Sequence, residues 1–124
     1  MGGLVTRYYL QRLGGVEKVP RYINISAPNN GTMTAYWLPN PGIKQMRPNS
    51  QFLQDLNKDI ETTLNKIEVT VIWTPYDFII FPPSSSQMGI GEEIKLPILI
   101  HRQMLGHPQL LKTVSDSLSK PVKL

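Results

Sequence analysis

Two residues in this chain are placed to do acid–base chemistry. Asp77 follows the apolar run Ile67 to Thr74, and His101 follows the run Glu93 to Ile100, so each ends its own strand-like segment. A carboxylate on one strand end can bind Nδ1 of an imidazole on a neighbouring end. That fixes the tautomer and leaves Nε2 free to take a proton from a hydroxyl. The ends of parallel strands are also where open α/β sheets build their sites. Each residue has a plainer reading. Asp77 two residues after Pro75 is a good turn former, and His101 could simply fill a strand-to-helix turn. His107 competes with His101 for the role of base, since it too precedes a helix and has Gly106 before it.

The elements that must carry these residues are legible from periodicity. Leu4 to Leu13 reads as a helix with Val5, Tyr9 and Leu13 on its apolar side, Leu4 and Tyr8 beside them, and Arg7 and Gln11 on its polar side; Gly14-Gly15 stops it. Strands are expected over 21–26, 67–74 and 94–100, with Pro97 placing the third at an edge. Thr32 to Leu38 reads as a short helix, and Asn49 or Ser50 is an N-cap for a helix through about Leu56. Pro108 opens a last helix over 109–118 with Leu110, Leu111, Val114 and Leu118 on one face. The connections between strands are long enough for crossovers, which favours a parallel sheet and an α/β class.

Bulk composition narrows the function. The chain has 124 residues, at most one domain, with 40% hydrophobic and 18% charged residues. Its net charge of +4 is scattered without a run of three basic residues, which speaks against nucleic-acid binding. There is no cysteine, so disulfides and thiolate metal sites are excluded. No metal-ligand spacing is found, nor a glycine-rich phosphate loop; Gly89-Ile90-Gly91 lacks a third glycine and a following helix. No cofactor is expected. No apolar stretch approaches the roughly 18 residues of a membrane span. Asp55, Asp59, Glu61, Glu92 and Glu93 read as surface charges, and Ser84-Ser85-Ser86 as a flexible loop.

Several segments, in order, resemble one family. His101-Arg102-Gln103-Met104-Leu105-Gly106-His107-Pro108 is similar to the catalytic-histidine region of bacterial lipases of the α/β-hydrolase fold, and Thr74 to Ile80 to their catalytic-acid loop. Met1-Gly2-Gly3-Leu4-Val5 resembles the tail of their nucleophile elbow, usually Gly-His-Ser-Met-Gly-Gly. Ala27-Pro28-Asn29-Asn30-Gly31-Thr32 resembles their Pro-(His or Asn)-x-Gly-Thr loop, and Met46-Arg47-Pro48-Asn49-Ser50-Gln51-Phe52-Leu53 a helix start. The resemblance spans residues 1–124 and aligns at His101 without gaps. It gives His107 a position usually held by Asp or Asn, an N-cap.

The resemblance implies the C-terminal half of an α/β-hydrolase domain, with three parallel strands and flanking helices. It implies carboxylic-ester hydrolysis by a Ser-His-Asp triad on an acyl ester or lipid, with Asp77 as acid and His101 as base. The backbone N–H of Met1 would serve the oxyanion in the intact protein. The serine that should precede Met1 lies outside the sequence, as a split or frameshifted gene would leave it. The chain alone is therefore expected to be inactive, and an alternative role is a binding or complementation module for a separate N-terminal half. Cellular location stays open on these grounds.

Overall fold

A computed structural model describes residues 1–77, 79–98 and 106–121. Among them, three strands form one parallel sheet in the order β1 (Arg21–Ile25), β2 (Glu68–Trp73), β3 (Glu92–Lys95). Tyr22 stands opposite Val69 and Asn24 opposite Val71, while Ile72 stands opposite Ile94. The class and the parallel pairing follow the sequence reading. The third strand is shorter than expected: it ends at Lys95, because Pro97 has no N–H to continue a ladder. Its expected last residues, 99 and 100, lie outside the described residues.

Helices cover both faces. α1 (Gly2–Arg12), α3 (Gln51–Lys58) and α4 (Ile60–Leu64) pack on one side, where Leu10 and Leu64 meet Tyr22, Val69 and Val71. α5 (Pro108–Leu118) covers the other, where Leu110 meets Ile72 and Ile98, with Ile23, Ile25 and Ile94 around them. β2 is buried on both faces, as a central parallel strand requires. A short helix, α2 (Pro41–Lys44), is started by Asn40, and α3 by Ser50, whose hydroxyl accepts the Leu53 N–H. A 3₁₀ turn over Met33–Trp37 replaces the expected short helix.

Two helix faces depart from the periodicity. In α5, Leu111 and Leu118 are exposed while Ser117 is buried along with Leu110. In α1 Leu4 faces inward as read, but Arg7 and Gln11 of the expected polar side are buried with it and Leu10, while Val5 and the capping residue Leu13 are 62% and 63% exposed. The reason lies in the acceptors that Arg7 meets. Its Nε donates to Gln11 Oε1 at 3.0 Å and its Nη1 to Asn29 Oδ1 at 3.3 Å. Its Nη2 donates to the Leu56 carbonyl at 3.3 Å and Asn57 Oδ1 at 2.7 Å. One guanidinium thus ties α1 to the loop after β1 and to the end of α3. Burial pulls its pKa down to about 10, with Tyr22 and Asp59 acting in the opposite sense, so it remains a cation at neutral pH.

Arg12 closes the same junction from outside, donating to both oxygens of Asp59 at 2.9 Å. Burial raises the Asp59 pKa, but hydrogen bonds from Thr63 and Arg12 outweigh it and leave the carboxyl below its ordinary 3.8. Its stabilisation is therefore complete above pH ~4 and lost as pH falls through the lowered value.

Replacing Arg7 by Lys keeps the charge but strands most of these acceptors. It should lower the unfolding free energy by about 2–3 kcal/mol in urea titrations, against under about 1 for Arg12→Ala. The stability gap between the native chain and Asp59→Asn should close as the same titrations are repeated from pH 6 down to pH 2.

Candidate functional site

Asp77 lies beyond the C-terminal end of β2 and is 1% exposed. Its Oδ1 accepts the N–H groups of Ile79 and Ile80, both at 2.9 Å. The turn-forming reading of this residue is therefore realised, in a carboxylate buried at the end of the central strand. His101 lies outside the described residues. The segments leading to the expected pair meet upstream of it: Thr74, three residues before Asp77, donates its hydroxyl to the carbonyl of Ile98, three residues before His101, at 2.6 Å. Thr74 is fully buried, so the end of β2 and the segment after β3 are clasped there.

His107 takes the N-cap of α5, where its Nδ1 accepts the Gln109 N–H at 3.1 Å. That bond uses the Nδ1 lone pair. An acid-paired base must instead donate from Nδ1, so this placement suits the capping role and not the competing one.

Loops leaving β1 and β2 form the rest of the site. Asn30 N–H donates to Ser85 O at 2.8 Å, Asn29 Nδ2 to Ser86 O at 2.7 Å, and Met33 N–H to Phe81 O at 2.7 Å. The segment over Ser84-Ser85-Ser86 is not the free loop that its composition promises. It is a 3₁₀ turn with Ser85 and Ser86 buried, because it receives these bonds. Ser86 Oγ finds no hydrogen-bond partner among the described residues. Gly31 turns the first loop at φ +89°, and a Cβ there would lie 2.6 Å from Pro48 N and Cα.

Met1 stands at the N-cap of α1, its carbonyl accepting from Leu4 and Val5, and partial burial lowers the pKa of its amine. Gly3 lets this end of α1 press on the end of β1: a Cβ on it would sit 2.4 Å from the Ala27 Cβ. Ser26 is a residue that periodicity does not single out. It directly follows β1 at φ +47°, a conformation costly for a side chain larger than glycine's, and is 5% exposed.

Beside Asp77's loop the surface is apolar. Met33, Tyr36, Trp37 and Phe81 line a cleft of about 510 Å³, and Trp37, Leu38, Ile43, Met46 and Ile79 an adjoining one of about 440 Å³. Trp37 is 81% exposed. Proline and glycine around this segment hide such a surface from periodicity, and only the cluster of aromatic residues in the sequence hints at it. Among the described residues no three His, Asp or Glu side chains converge on a metal position, and no helix is long and apolar enough to cross a membrane. No known family model matches the chain, and no curated protein is significantly similar to it.

Gly31→Ala should cost about 2–4 kcal/mol, from the left-handed backbone and the clash with Pro48 together. A fall in thermal midpoint beyond that of Gly89→Ala, where a Cβ meets open space at φ +74°, would separate the clash from the backbone cost.

Proposed function

We infer that the chain carries the acid and base of a serine ester hydrolase of the bacterial lipase kind, as the C-terminal half of an α/β-hydrolase domain. The observation that carries this reading is the Asp77 carboxylate, buried and held by two backbone N–H groups at the end of the central parallel strand. The Thr74–Ile98 bond, the engagement of His107 Nδ1 in a cap and the apolar clefts beside the Asp77 loop add support. In this reading His101 takes the proton of an attacking serine, Asp77 steadies the imidazolium, and the clefts receive the acyl part of an ester. The backbone at Met1 contributes to the oxyanion site in the intact protein, next to a serine that the 124 residues do not provide.

A second reading has its own observation. β1 has no neighbour on its outer edge among the described residues, and Val5 and Tyr8 of α1 and Leu13 just after it are exposed. An open edge and an apolar helix stripe favour docking of a separate N-terminal half, so the chain would act by complementation.

Both readings are tested with p-nitrophenyl butyrate. The chain alone should show no hydrolysis. A chimera in which the N-terminal half of a bacterial lipase, ending in Gly-His-Ser, is fused to Met1 should gain it. His101→Ala or Asp77→Asn should then lower kcat by about 10³–10⁴-fold. Activity on mixing the two halves unfused favours complementation. Activity in the unextended chain that Ser26→Ala abolishes would overturn the assignment of the missing serine.

A further inference from the structure

Resting on the reading of Asp77 as the acid, the geometry points to Thr32 as a positioning residue for its carboxylate. Thr32 is 1% exposed and its hydroxyl sits against the backbone that grips Asp77. Oγ1 accepts the Phe81 N–H at 2.9 Å and lies 3.0 Å from the Ile79 carbonyl, to which it donates. Thr34 donates to that same carbonyl at 2.8 Å, and the Met33 N–H closes on Phe81 O. Nearly every backbone polar group from Ile79 to Phe81 is thereby assigned. Two N–H groups go to Asp77, one N–H and one carbonyl to Thr32, and one carbonyl to Met33.

The consequence is directional. The two N–H groups that hold Asp77 Oδ1 belong to an apolar segment outside any helix or strand. The loop after β1 bonds to it, and among the described residues Thr32 is the side chain of that loop bonded to both a donor and an acceptor of the segment. Thr32 is anchored in turn, since its own N–H donates to Met46 O at 2.8 Å. A hydroxyl is required for this double engagement, and the isosteric valine cannot supply it.

Amide hydrogen exchange on the 124-residue chain tests the assignment without any catalytic readout. It can therefore fail while the hydrolase reading stands, or succeed while that reading fails. Thr32→Val should speed exchange at Ile79, Ile80 and Phe81 by about tenfold and leave Val69, Val71 and Ile72 of β2 within about twofold. Thr32→Ser, which keeps the hydroxyl and loses the methyl, should restore native protection. If valine unfolds the chain, seen as lost protection across β2, Thr32→Ala is read by the same criteria. Three results would overturn the proposal: faster exchange at Phe81 alone, equal loss in β2 for both hydroxyl-free variants, or a serine variant as unprotected as valine.

Discussion

The fold depends on a buried cation that meets no carboxylate among the described residues. Arg7 reaches neutral acceptors only, on α1 itself, on the loop after β1 and on the last turn of α3. A buried ion is costly unless its donors are satisfied, and here all three guanidinium nitrogens donate. The arrangement also orders the loop, because Asn29, once held by Arg7, reaches on to Asn24 and to Ser86 O. Tyr22 and Asn24 extend the same network to β1, and Tyr22 O–H donates to Gly3 O. The two loops at the strand ends are thus tied to the sheet through polar groups as well as through buried Ala27, Ile80 and Met88.

That explains which parts of the fold were legible in the sequence. β2 was, because alternating Ile67, Val69, Val71 and Trp73 leave no other period. The helix starts were nearly so, because Asn49 or Ser50 suits the cap of α3, where Ser50 takes it, and Pro108 suits the first position of α5. α1 was read partly on the wrong face. Apolarity is a good guide to the inner face only where the inner surface is itself apolar, and here it offers carbonyls and amides to Arg7 and Gln11. The third strand was read too long for a different reason. The apolar run after Pro97 looks like strand, but Leu96 N–H makes the last bond to Trp73 O and Ile98 turns to Thr74 instead.

The candidate site divides in the same way. The position of Asp77 after a strand could be read from pattern alone. The bonds that fix its carboxylate could not, because they run to backbone N–H groups, which every sequence has. Thr32 was visible only as part of an Asn-Gly-Thr turn, and Ser26 not at all, since a strained dihedral leaves no compositional trace. The apolar clefts beside them are made by a 3₁₀ turn whose residues carry no helical or strand period.

The grip on Asp77 acts as a ruler. Oδ1 meets two successive amides only because the carboxyl stands one methylene from the backbone. A glutamate would carry its oxygens past both donors, while an asparagine could turn its carbonyl to the same two. The turn therefore selects first for side-chain length: the charge strengthens the two bonds but is not needed to form them. Across natural variants of this loop, the contrast between Asn and Glu at position 77 would separate the demands of folding from those of chemistry: folding alone would admit Asn and refuse Glu.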